Sequence, residues 1–247
     1  MELSFSLWVL TIICAFMIGM AKTGVHALGT LAVPLMAFIF GGMPSSGLAL
    51  PMLVMADVFG VAYYHRSAHW KTLLKVLPWA FVGIIAGLLT GKNISAVQFK
   101  QLIGILVIIS LVVMTWMELK KSAKKDPVPH KAWFAVPFGI MGGFSTMIGN
   151  AAGPIMSVYL LSMGMPKNTY IGTTAWFFFI VNVSKMPLQI WGWQNITLKT
   201  LGFNVLLLPA IALGAFSGIW FVKLLPESAY RRFIVAATFI SAIFLFF

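Results

Sequence analysis

Two short polar stretches interrupt otherwise oily sequence: Met20-Ala21-Lys22-Thr23-Gly24-Val25-His26-Ala27-Leu28-Gly29 in the first half, and Ser145-Thr146-Met147-Ile148-Gly149-Asn150-Ala151-Ala152-Gly153-Pro154 in the second. Lys22 supplies a cation and His26 an imidazole. Thr23, Ser145 and Thr146 supply hydroxyls, and Asn150 an amide. Gly24 and Gly149 let a ligand approach the backbone closely. Polar groups and helix breaks at membrane depth are costly unless they line a cavity, so the duplicated pair marks a candidate site. The matching chemistry is recognition of a small anion. A helix restarting after each glycine offers free N–H groups with about half a positive charge, and Gly153-Pro154 suits such a start.

Asp57 lies roughly eleven residues into the span that opens near Ser46, which at about 1.5 Å per residue brings it and its counterpart Asn182 to mid-membrane. Two roles fit Asp57: a salt bridge to Lys22 or Lys185, or carriage of a coupled proton, a task also open to His26. Lys185 reads as a second positive ligand or as a side chain reaching the outer interface, and Lys22 carries the same second reading. Ser145 and Thr146 either face the ligand or bond back to the preceding helical turn. The candidate substrate-binding set is therefore Lys22, Thr23, Gly24, His26, Ser145, Thr146, Gly149, Asn150, Asn182 and Lys185.

The elements that hold these residues follow from composition. Hydrophobic residues make up 60% of the chain, charged residues 9%, and the mean hydropathy is +0.97, which implies an all-α polytopic membrane protein. The formal charge of +12 lies in short loops, where membrane orientation accounts for it, and nucleic-acid binding is excluded. Cys14 has no cysteine to pair with, and the 15 methionines lack accompanying His or Cys clusters, so no metal or cofactor is expected. The first apolar stretch carries Glu2 instead of a basic leader and reads as a retained helix.

Apolar segments fall at 4–21, 25–41, 46–64, 73–91, 98–117, 132–146, 150–164, 170–190, 200–222 and 229–247. The short ones flank the polar hairpins. The halves match at an offset of 125 near the hairpins (Gly24 with Gly149, Asp57 with Asn182) and 131 further on (Pro78 with Pro209, Gly83 with Gly214, Gly87 with Gly218). Placing loops 65–75 and 118–131 in the cytoplasm puts 12 of the 17 Lys and Arg residues inside; Lys92, Lys100 and Lys199 then lie outside. Lys100 and its counterpart Arg231 fall on opposite sides, so the repeats have inverted topology. The expected organisation is a first repeat over 1–117, a basic cytoplasmic linker over 118–131 and a second repeat over 132–247. Each repeat has about five segments, the hairpins meet near mid-membrane, and both termini are extracytoplasmic. The glycine spacings at Gly83, Gly87 and Gly91 and at Gly214 and Gly218 serve packing within the chain and leave the oligomeric state open.

With these residues in view, the chain resembles the TauE/SafE sulfite exporter family, also called the toluene sulfonate uptake permeases. The resemblance rests on the first hairpin with Pro34, on Gly42-Met43-Pro44, on Gly149-Asn150-Ala151-Ala152-Gly153-Pro154, and on Gly164-Met165-Pro166 with Gly172-Thr173. The commoner family pattern has a Gly-Gly-Gly run in the hairpins, replaced here by Lys22-Thr23-Gly24-Val25-His26 and by Gly149-Asn150-Ala151-Ala152. Membership implies a bacterial inner-membrane carrier of sulfite, sulfonates or related organic anions. The resulting expectation is secondary transport by alternating access, with the proton as candidate coupling ion and with membrane lipids as surroundings. Two rival readings are a membrane-embedded enzyme using Asp57 and His26, and a non-transporting subunit of a membrane complex.

Overall fold

A computed structural model describes residues 4–91, 98, 112 and 132–244. The expected segment at 98–117, the linker at 118–131, and Lys92 and Lys100 of the orientation count lie outside or almost outside the described residues. Among the described residues the regular elements are all helical. They are α1 (Phe5–Lys22), α2 (Ala27–Phe40), α3 (Gly42–Tyr64), α4 (Trp70–Gly91), α5 (Ala132–Gly149), α6 (Gly153–Ser162), α7 (Lys167–Pro187), α8 (Leu198–Leu224) and α9 (Glu227–Phe244).

Among the described residues four stretches are long and apolar enough to cross a bilayer: Phe5–Lys22, Met43–Ser67, Trp70–Gly91 and Leu198–Leu224. In contrast α2, with 14 residues, and α6, with 10, rise only about 21 Å and 15 Å, well short of a hydrocarbon core of about 30 Å. They are the short arms that follow the polar breaks. Gly24 makes the first break at φ 133°, a conformation that side chains disfavour, and a Cβ there would stand 2.5 Å from Val222 Cγ2. Asn150 makes the second at φ 55°, a left-handed position that Asn tolerates. The restart of α6 carries Pro154 in its first turn, where the missing N–H leaves no helical bond unmade.

Packing follows a reciprocal pattern. Gly83 and Gly87 of α4 lie against the α5 backbone at Ile140 and Phe144, while Gly214 and Gly218 of α8 lie against the α1 backbone at Phe16 and Met20. Gly19 abuts Ile211, and Gly143 abuts Ala80. Adding 124 carries each α1 member of these contacts to its α5 counterpart, and adding 131 carries each α4 member to its α8 counterpart. Small residues allow such close backbone approach, which is how helices associate without a hydrophobic drive.

Between these pairs, α3 and α7 run antiparallel. Gly47, near the start of α3, meets Asn195 just beyond α7, and Gly172, near the start of α7, meets Tyr64 at the end of α3. Asp57 and Asn182 join the two helices midway. At the end that holds Tyr64, the Lys167 ammonium donates to the Val222 and Leu225 carbonyls at 3.0 and 2.6 Å, closing the C-terminus of α8, and the Lys167 N–H donates to Glu227. At the opposite end a reciprocal Thr197–Thr200 cap starts α8.

Candidate functional site

The two breaks and the middle of the α3–α7 pair line a cavity of about 40 Å³. Lys22 and His26 come to its wall from the first break, Thr146 and Asn150 from the second, and Phe178 and Asn182 from α7. Both short arms begin here, since Gly29 and Thr30 of α2 and Gly153 of α6 are also wall residues. Two helix N-termini thus look into one space, the arrangement that favours negative charge.

A chain of charged and polar groups runs behind the wall. The Lys22 ammonium lies 3.0 Å from Asp57 Oδ1 and 4.1 Å from the centre of the Phe178 ring. Asn182 Nδ2 donates to Asp57 Oδ2 at 2.6 Å. Lys185 is fully buried, and its ammonium donates to Thr146 O, Thr146 Oγ1 and Asn150 Oδ1, each at 2.8 Å. Three acceptors match the three N–H groups of an ammonium. Asn150 Nδ2 donates in turn to Ser46 O at 3.1 Å, which fixes the orientation of that amide.

Among the described residues two lysines and one carboxylate therefore sit inside the protein. Lys22 is paired with Asp57, whereas Lys185 is held by neutral oxygens, with no carboxylate partner among the described residues. Two polar atoms of wall residues, His26 Nδ1 and Asn182 Oδ1, are buried without a hydrogen-bond partner among the described residues.

The profile of the family Sulfite exporter TauE/SafE matches residues 10–245. The chain belongs to that family. Comparisons with curated proteins and with solved structures returned no match. TauE/SafE proteins are membrane transporters, in keeping with the multi-pass apolar helices seen here.

On this TauE/SafE chain the residues singled out from sequence divide into two groups. Lys22, His26, Thr146, Asn150 and Asn182 line the cavity, and Lys185 and Asp57 stand behind it in direct contact with wall residues. Thr23, Gly24, Ser145 and Gly149 do not line it. The Thr23 hydroxyl lies within hydrogen-bond reach of the Gly19 and Met20 carbonyls of its own helix and donates to Ala215 O of α8 at 2.9 Å, so it fastens α1 to α8. Gly24 accepts from the Tyr230 hydroxyl at 2.8 Å and packs on Val222. Gly149 borders a separate, smaller cavity of about 10 Å³ that Asn150, Ser45 and Ser46 also line. Ser145 Oγ is buried and has no partner among the described residues. Neither buried lysine extends to an interface: Lys185 is 0% and Lys22 8% exposed.

Three participants were not singled out from sequence. Phe178 lies within a run of apolar residues that gives no signal. Ser46, which receives Asn150, and Gln189, whose Nε2 donates to Ser46 Oγ at 3.2 Å, are polar residues at the ends of apolar spans. Their position alone was a usable cue.

Proposed function

We propose that this TauE/SafE protein is a secondary transporter that exports a small organic or sulfur-containing anion, such as sulfite or a sulfonate, across a bacterial inner membrane by alternating access. The observation that carries this reading is the cavity shared by both helix N-termini and the Lys22 ammonium, with Lys185 one layer behind. The substrate-binding set keeps Lys22, His26, Thr146, Asn150, Asn182 and Lys185. Thr23, Gly24, Ser145 and Gly149 shape the two breaks. Asp57 pairs with Lys22 in this conformation, which favours its charge-pairing role over proton carriage.

Alternating access draws support from the packing. Repeats over 1–117 and 132–247, joined by a cytoplasmic linker, would be inverted copies. Equivalent helices α3 and α7 lie antiparallel, and the glycine contacts of each half are met by the first helix of the other. Rocking of one half against the other then exposes the cavity to either side in turn.

The test is flux. Proteoliposomes loaded with sulfite, a sulfonate or a small carboxylate should release at least one of them faster than protein-free vesicles, and Lys22→Met should abolish the difference in a protein that still elutes as a folded species. Intact vesicles that move none of the panel would refute the transporter reading.

A further inference from the structure

We infer that, in this conformation, the way in and out of the cavity runs past Asn150, Ser45 and Ser46 toward the Asn195 end, and that Tyr170 and Tyr230 form the gate that closes the opposite exit toward Tyr64. This rests on the transporter reading and adds to it the residues that decide which face the cavity serves.

Equivalent positions of the two halves carry the argument. At the offset of 125 that pairs Asp57 with Asn182, Ser45 pairs with Tyr170, Ala49 with Thr174 and Val25 with Asn150. In inverted copies such positions flank the two exits of one cavity. At one exit stand Ser45, Ala49 and Asn150, small or polar, and there the structure keeps a second space of about 10 Å³, room for roughly one water. Asn150 lines both spaces and so stands at the threshold between them.

At the other exit stand Tyr170, Thr174 and Val25, and side chains fill it. His26 of the cavity wall meets the Tyr170 ring edge-on at 5.5 Å, and Tyr170 meets the Tyr230 ring at 6.2 Å. Val25, Tyr170, Ile171, Val222 and Tyr230 belong to one apolar cluster and are each at most 3% exposed.

Few contacts fasten this plug. The Tyr170 hydroxyl donates to Ser157 Oγ at 3.1 Å, which joins α7 to α6, and the Tyr230 hydroxyl donates to Gly24 O at the first break. The start of α9 that carries Tyr230 also reaches both other elements: Glu227 accepts from the Lys167 N–H of α7 at 2.7 Å, and Arg231 donates to Leu161 O of α6 at 3.2 Å. The first break, α6 and α7 are thus tied to one stretch of α9. Tyrosine suits a gate in this place, because the ring fills the exit while the hydroxyl latches it without burying a charge.

The experiment reads access to single cysteines in the purified full chain, on a Cys14→Ala background, with a small charged methanethiosulfonate reagent. Ala49→Cys and Thr174→Cys are equivalent, buried positions at the two exits. Ala49→Cys should react about tenfold faster, since exposing Thr174→Cys first breaks at least one buried hydrogen bond of the plug. Thr174 lies one turn beyond Tyr170 on the same face of α7, so Tyr170→Ala should raise the Thr174→Cys rate by about tenfold or more, Tyr170→Phe by less, and neither should change Ala49→Cys. Should Tyr170→Ala fail to fold, the Tyr170→Phe variant and the comparison of the two single cysteines decide. Equal rates, a faster Thr174→Cys, or an unreactive Ala49→Cys would overturn the gate assignment and leave the transporter reading to its flux test. The expected labelling in a protein that moves no anion would overturn the transporter reading instead.

Discussion

Lys22 and Asp57 show how much depends on a single contact. At 3.0 Å and almost fully buried, they neutralise each other, and removing one partner strands the other. Lys22→Met should destabilise the protein by about 3–5 kcal/mol through the orphaned carboxylate, whereas Lys22→Met combined with Asp57→Asn should recover most of that loss. Denaturant or thermal unfolding in detergent reads the stability. Flux should stay lost in both variants, because the double variant restores neutrality and not the ligand's cation. Recovered flux in the double variant would remove Lys22 from the site. Asn150 supplies a second residue-scale test: Asn150→Gly keeps the left-handed backbone at no steric cost but frees Lys185 Nζ and Ser46 O from its amide. That variant should fold, and its flux should fall about tenfold, the loss of one charge-assisted hydrogen bond. Equal flux would make Asn150 a turn residue alone.

Helix scale is where the glycines act. Gly83 and Gly214 occupy equivalent crossings, one against Ile140 on α5 and one against Phe16 on α1, so Gly83→Val and Gly214→Val should destabilise to a similar extent, about 1–3 kcal/mol each from overpacking. Unfolding midpoints of the two variants check this, and a large difference between them would argue that the crossings are not equivalent. Much of this scale was legible in the chain itself. Apolar runs gave the helices, the breaks at Gly24 and Asn150 fell inside the polar stretches, and Asp57 and Asn182, matched by their offset of 125, proved to share a hydrogen bond. What sequence does not carry is the direction in which a side chain leaves its helix. Thr23 sits among ligand-type residues, yet its hydroxyl turns to Ala215 on α8, a contact 192 positions away. Phe178, one of three successive phenylalanines, gives no sign that it lies under the Lys22 ammonium. Trp193, at the end of an apolar run, is buried and donates its indole N–H to Leu88 O at 3.3 Å.

For the whole molecule the decisive property is which ends share a face of the membrane. The start of α3 and the stretch beyond α7 meet at one end, as Gly47 against Asn195, and the end of α3 and the start of α7 meet at the other, as Tyr64 against Gly172. If the basic loops face the cytoplasm, Met43 and Lys199 lie outside and Arg66 and Ser228 inside, all four of them exposed positions. Cys14 is buried at 0% exposure and is the sole native cysteine, so Cys14→Ala provides a quiet background for single cysteines at those four sites. A membrane-impermeant thiol reagent added to intact cells should label Met43→Cys and Lys199→Cys and leave Arg66→Cys and Ser228→Cys unlabelled until the membrane is opened. Two inverted copies require this division, because each copy must present its equivalent turn to the opposite side. Labelling of Met43→Cys and Arg66→Cys from the same side would mean that α3 does not cross, and the shared cavity at its midpoint would no longer lie between two aqueous faces.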